Sequence, residues 1–123
     1  MTLNNKTSFA NKIGYWTSQE QYSMQDLLKF VVEAERSGFN DCMTSDHFHR
    51  WWHDGGYGNF TWIWMSAAAE RTKKMRFFTG VTAAVYRYNP ALIAQAFASL
   101  DVLYPFSIIL EDSDIICNWT CSV

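Results

Sequence analysis

The 123-residue chain has no run of about 18 apolar residues, the minimum that would suggest a membrane span. Its first dozen residues, MTLNNKTSFANK, are polar and hold no apolar stretch of the kind a secretory signal needs. Cysteine is scarce: Cys42, Cys117 and Cys121 are odd in number and not spaced as a disulfide framework, which agrees with a reducing compartment. A cytoplasmic protein is therefore expected, and the sequon Asn118-Trp119-Thr120 is read as a chance match. The formal net charge is only −2, so no electrostatic feature calls for nucleic acid or an anionic membrane as partner. No Gly-x-Gly-x-x-Gly or phosphate loop follows the first apolar segment. What remains, with 49% hydrophobic and 18% charged residues, is the composition of one compact globular domain.

Apolar and turn patterns alternate along the chain. Lys12 to Thr17 (KIGYWT) reads as a short strand, and Ser23, three residues before Asp26, as a capping-box-like start of a helix through Leu27, Leu28, Val31, Val32 and Ala34. Gly38 is placed to stop it. Asn40 to Ser45 is a second strand, Thr61 to Thr72 a second helix, and Met75 to Thr82 a third strand. Asn89-Pro90 supplies a cap and a first-turn proline for a helix through Leu103, which Pro105 ends before a fourth strand at Phe106 to Leu110. Arg87-Tyr88 reads as part of the loop leading to that cap. Four strands alternating with three helices imply an α/β fold with parallel strands. Two architectures fit: an open flavodoxin-like sheet, and part of a (β/α)8 barrel, which normally takes about 250 residues.

All three histidines lie in SDHFHRWWHDGGYG, residues 45–58, the loop after the second strand. In either architecture, loops at the carboxyl ends of parallel strands build the active site. His47 there can exchange a proton near neutral pH, and the carboxylate of Asp46 can orient it or bind a polar group of a ligand. Trp51 and Trp52 can wall a pocket against a flat ring, and Gly55, Gly56 and Gly58 let the loop fold over it. His47, His49 and His53 could instead chelate a metal. The glycines argue against the helix that would bring His49 and His53 onto one face, however, and no cysteine or glutamate stands near to complete a ligand set. The pocket reading is preferred to a metal or to incidental histidines. Gly80, in Thr79-Gly80-Val81-Thr82, marks either a strand terminus or a bulge where a ligand comes close, with the ligand reading preferred. Trp62 and Trp64 cannot share a helix face and are assigned to packing; Cys42 is assigned to the core.

The segments SDHFH-x-W and TGVT-x-x-x-x-RYNPALIAQAFASLDVLYP, at this mutual spacing, resemble the luciferase-like flavin and deazaflavin oxidoreductases. Within them the likeness is greatest to enzymes that use coenzyme F420, of the glucose-6-phosphate dehydrogenase type. The resemblance runs from about Lys12 to Pro105 and implies a (β/α)8 barrel, of which this chain would hold the N-terminal half. It implies hydride transfer from the carbinol carbon of a small alcohol or sugar phosphate to coenzyme F420, with FMN-dependent monooxygenation as the alternative on the same scaffold. It further implies His47 as the base, Trp51 beside the reacting centre, Asp46 near the coenzyme ring, and Gly80 and Val81 as a bulge, often with a cis peptide, that backs the ring. Arg50 stands where relatives have proline, Ala83 and Ala84 depart from the usual threonine or proline, and the Gly-x-Gly-x-Gly-Glu segment expected after Tyr104-Pro105 is replaced by FSIILEDSDIICNWTCSV, with Ile116 at the acidic position. The organisation expected is a polar lead at 1–11, a partial barrel at 12–110 and an unrelated tail at 111–123 of a truncated enzyme. Such a chain could also be an inactive fragment, or a half-barrel that covers its open edges by forming a homo-oligomer.

Overall fold

The computed structural model describes residues 13–50 and 53–110. The elements run β1 (Tyr15–Thr17), α1 (Met24–Arg36), β2 (Asp41–Thr44), α2 (Thr61–Arg71), β3 (Arg76–Thr79), α3 (Ala84–Arg87), α4 (Pro90–Leu103) and β4 (Ile108–Ile109). The expected strands and long helices are all present; the single turn of α3 is an addition.

The helix ends follow local chemistry. Ser23 Oγ accepts from the Asp26 N–H at 3.1 Å and donates to Asp26 Oδ2 at 2.7 Å, which satisfies a first-turn amide that has no partner within the helix. At the other end Gly38 takes φ +99°, a conformation that glycine adopts without steric cost, and the Phe39 N–H closes back on Ala34 O at 3.1 Å. The Asn89 side chain accepts from the Ala91 N–H at 2.9 Å, with Pro90 in the first turn of α4.

All strand pairs are parallel, and the order across the sheet is β1-β2-β3-β4. A flavodoxin-like sheet places its second strand outside the first and reverses direction at a switch point; consecutive neighbours throughout are the order of barrel strands. The topology therefore decides between the two architectures in favour of the (β/α)8 type. One sheet face meets the helices, where Cys42, Phe77 and Ile108 pack with Leu27 and Val31 of α1, Trp64, Met65 and Ala68 of α2, and Leu100 of α4. Phe77 is fully buried, its ring set edge-on to Trp64 at 6.0 Å. The other face carries Trp16, Met43, Phe78 and Ile109 in one register row, with Trp16 50% and Ile109 37% exposed. In a closed barrel that row points inward. Among the described residues no helix is long and apolar enough to cross a membrane.

Candidate active site

The carboxyl ends of β1, β2 and β3 converge on a polar cluster. Beyond the last ladder residues, Thr17 O accepts from the Ser45 N–H at 3.3 Å and Thr44 O accepts from the Gly80 N–H at 2.7 Å, so the segments that follow β2 and β3 leave the sheet side by side. The Gly80–Val81 peptide is cis. A Cβ at Gly80 would come within 2.7 Å of Met43 Cγ and Sδ and 3.1 Å of Trp16 Cζ3, so the backbone lies bare against the uncovered sheet face. The start of α2 is fixed to the same place by the Thr61 hydroxyl, which donates to Ser45 O at 2.6 Å.

His47 leaves the end of β2 with its imidazole 41% exposed and Nε2 3.3 Å from Oε1 of Glu20. Glu20 is buried; its Oε2 accepts from Ser45 Oγ at 3.0 Å, and Ser45 Oγ in turn accepts from the Gln19 N–H at 3.0 Å. Gln19 Nε2 donates to Thr44 Oγ1 at 2.9 Å. The turn after β1 is thus bonded to the end of β2, and the carboxylate that faces the histidine comes from it. Tyr57 and Asn59 of the loop return to the same turn, by Tyr57 N–H to Glu20 O at 2.8 Å and Asn59 Nδ2 to Tyr22 O at 2.9 Å.

The carboxylate of Asp46 is taken up elsewhere. With no exposed side-chain surface, it accepts from Thr82 Oγ1 at 2.9 Å on Oδ2, and from Arg87 Nη1 at 2.6 Å and Tyr88 OH at 3.3 Å on Oδ1. Burial together with the Asp46 charge pushes the Tyr88 phenol up to about 12, so it stays a donor. Arg87 lies over the rings of Tyr88, Phe48 and Phe60 with Cζ 4.8, 5.7 and 5.8 Å from the centroids. Asp46, His47, Phe48, Ala83, Tyr86 and Arg87 line a cavity of about 460 Å³ open to solvent, within the size range of small-molecule sites.

Of the residues singled out from sequence, the structure brings Asp46, His47, Gly80 and Val81 to one end of the sheet. Trp51 lies outside the described residues, as do Trp52, the lead and the tail. His49 and His53 pair edge-to-face at 6.1 Å on the exposed loop. No group of His, Cys, Asp and Glu that could hold a metal occurs among the described residues. Sequence reasoning missed Glu20 and Arg87. Glu20 carries no local signal, and Arg87 was absorbed into the approach to the Asn89-Pro90 cap. Trp62 stacks on Tyr88 at 4.3 Å while Trp64 is buried, which separates the two tryptophans as expected.

A half-set of consecutive parallel strands with a polar cluster at their carboxyl ends defines a segment of a (β/α)8 barrel. The chain belongs to the luciferase-like monooxygenase family, whose model matches residues 6–105. It is 46% identical over 99 residues to F420-dependent glucose-6-phosphate dehydrogenase 2 of Rhodococcus jostii, a match covering 80% of this chain and 29% of that protein. To F420-dependent glucose-6-phosphate dehydrogenase of Kribbella flavida it is also 46% identical over 99 residues, covering 80% and 30%. Among solved structures, an F420-dependent secondary alcohol dehydrogenase in complex with an F420-acetone adduct superposes with TM-score 0.78 at 42% identity, over 82% of this chain and 31% of that one. The F420-dependent tetrahydromethanopterin reductase of Methanopyrus kandleri shares the fold, at 20% identity and TM-score 0.68. The chain spans about 30% of the length of these curated relatives.

Proposed function

We propose that this chain carries the coenzyme-ring side of the active site of an F420-dependent oxidoreductase, acting on the carbinol carbon of a secondary alcohol or sugar phosphate. The observation that carries the reading is the Glu20–His47 pair: a half-exposed imidazole at a cavity rim, 3.3 Å from a buried carboxylate at the carboxyl end of the sheet. The names of the relatives at 42–46% identity supply the coenzyme and substrate class. The residues present fit a flat ring: bare backbone at Gly80 beside an apolar row of Trp16, Met43 and Phe78. When bound, the deazaflavin would supply hydride acceptance at a ring carbon.

The chain's own residues would do the acid–base work. His47, whose Nε2 stands 3.3 Å from Glu20 Oε1, takes the substrate hydroxyl proton. Glu20 offsets the positive charge that results, and Ser45 keeps Glu20 from rotating away. Trp51, by the family resemblance, stands beside the reacting centre. Gly80 and Val81 back the ring. The cytoplasmic setting and any self-association that covers the open edges of the sheet belong to the same proposal.

The test is anaerobic mixing of the purified chain with oxidised F420 and either glucose 6-phosphate or 2-propanol, followed by deazaflavin absorbance. Loss of the oxidised band, slowed at least about a hundredfold in His47→Gln, is the expected result. A folded chain that reduces no coenzyme overturns the reading for this chain and leaves its family membership intact. Oxygen consumption with reduced FMN in its place would move the assignment to the monooxygenase chemistry.

A further inference from the structure

In the order β1-β2-β3-β4, β1 pairs only with β2 and β4 only with β3, so among the described residues no strand meets the outer edge of either. Open edges of this kind template pairing with another chain. Two large apolar side chains flank them at the same end of the sheet. Ile13, two residues ahead of β1, is 77% exposed, and Phe106, two residues ahead of β4, is 87% exposed. The sheet face away from the helices is open as well, along Trp16, Met43, Phe78 and Ile109. Its charges cancel. Arg76 Nε donates to Asp41 Oδ1 at 2.7 Å, and the two residues stand opposite each other one step of the alternation below Phe78 and Met43. Covering this face therefore encloses no unpaired charge from β2 or β3.

We propose that a second copy of the chain covers both edges and this face, β4 of each copy pairing in parallel with β1 of the other to close one eight-stranded ring. Parallel pairing at both seams keeps every carboxyl end on one side, as a (β/α)8 barrel requires. Each copy supplies one β1 edge and one β4 edge, so a twofold contact uses all four and leaves none. Interior layers of such a barrel come from alternate strands, and four strands per copy keep odd beside even across each seam. Ile13 of one copy and Phe106 of the other then lie at the same end of the seam. Completing the ring from one chain would take four more strand–helix units, about 120 residues at the usual barrel size. Residues 1–12 and 111–123 fall far short of that, so for the 123-residue chain the other half comes from a second copy. The carboxyl-end clusters of the two copies then face each other across one mouth, and the wall opposite His47 belongs to the second copy. Self-association across the open edges thereby gains a definite geometry, which rests on the F420 reading only for the ring that the mouth would receive.

The test uses the 123-residue chain without coenzyme, so its failure is distinct from failure of the F420 reading. Sedimentation equilibrium from 1 to 100 μM is expected to give twice the 14.3 kDa of the chain. Trp16→Lys and Ile109→Lys each set a charge on the face to be enclosed, and each is expected to raise the dimer dissociation constant at least about a hundredfold. Ile63→Lys and Leu103→Lys alter the exposed apolar groove of about 620 Å³ between α2 and α4 and are expected to leave the dimer intact. Amide hydrogen exchange of the wild type, compared between the two ends of the concentration range, is expected to slow at β1 and β4 and not at α2 or α4. A monomer at 100 μM overturns the proposal, as do oligomers that keep growing with concentration, which would mean edges paired without closure. A dimer lost in Ile63→Lys or Leu103→Lys but kept in Trp16→Lys and Ile109→Lys overturns it in favour of the helical face. Should Trp16→Lys and Ile109→Lys both fail to fold, the wild-type exchange decides: slowing at β1 and β4 supports the ring, and its absence refutes it.

Discussion

Replacing Glu35 with alanine should destabilise the chain by about 2–3 kcal/mol, although the residue lies away from the site. Its Oε1 accepts three consecutive backbone N–H groups, from Lys73 at 2.8 Å, Lys74 at 2.7 Å and Met75 at 3.0 Å, and so fixes the turn that delivers β3 to the sheet. A hydrogen bond to a charged acceptor contributes roughly 1.5–3 kcal/mol, but three that share one partly solvated oxygen do not add, so the total stays near that of one strong bond. Glu35→Gln keeps a neutral acceptor and should lose about 1 kcal/mol. The pH dependence has a definite sign. Partial burial pushes the Glu35 carboxyl up, but the three N–H bonds and the Lys74 charge outweigh it and hold the carboxyl below its ordinary value. Its contribution is therefore present above the unfolded value of about 4.3 and lost as pH falls through the lowered folded value. Urea unfolding followed by tryptophan fluorescence should show wild type and Glu35→Gln separated at pH 7 and converging in acid. A loss under about 0.5 kcal/mol in Glu35→Ala, the range of ordinary surface substitutions, or a gap between wild type and Glu35→Gln that persists in acid, would refute the reasoning.

Further expectations concern the core, the cap and the uncovered face. Burial pushes the Cys42 thiol up to about 12, so it should resist iodoacetamide at pH 8 until the protein unfolds. Its stability contribution should fall as pH rises past the unfolded value of about 8.5, by up to about 1.4 kcal/mol per pH unit, a component missing from Cys42→Ala. Gly80→Ala would set a Cβ against Met43 Sδ at 2.7 Å and should cost about 1–3 kcal/mol in chemical denaturation, less in a Met43→Ala background. Asn89→Ala removes the acceptor for the Ala91 N–H and should cost about 1 kcal/mol in the same assay.

How much was legible beforehand depended on the range of the interactions involved. Ser23, Gly38 and the Asn89-Pro90 pair act within a turn of the chain, and their roles were readable from neighbours alone. Cys42 and the two tryptophans of α2 were placed correctly because side-chain period in a strand or helix is local geometry. Strand order was not readable. Alternating β and α segments fit either architecture, and the β1-β2-β3-β4 neighbours appear only when the helices pack on one face. The site split the same way. His47 was visible from its place at a strand end, but Glu20 lies 27 positions earlier, in a turn without a motif, and meets it only because β1 and β2 are adjacent. Asp46 looked like the orienting partner because it is next in sequence, yet successive side chains in extended backbone point to opposite sides. Its carboxylate turned instead to Thr82, Arg87 and Tyr88, across 36 to 42 positions.

The proposed seat of the deazaflavin ring is beside His47, at the carboxyl end of this sheet. Nuclear Overhauser contacts between the His47 imidazole protons and the aromatic ring protons of bound F420, in the 123-residue chain labelled at histidine, test it most directly. Cross-peaks from His47 to the ring are expected, with His49 and His53 showing none. Saturable binding with no His47 cross-peak, or a folded chain to which F420 does not bind, would contradict it.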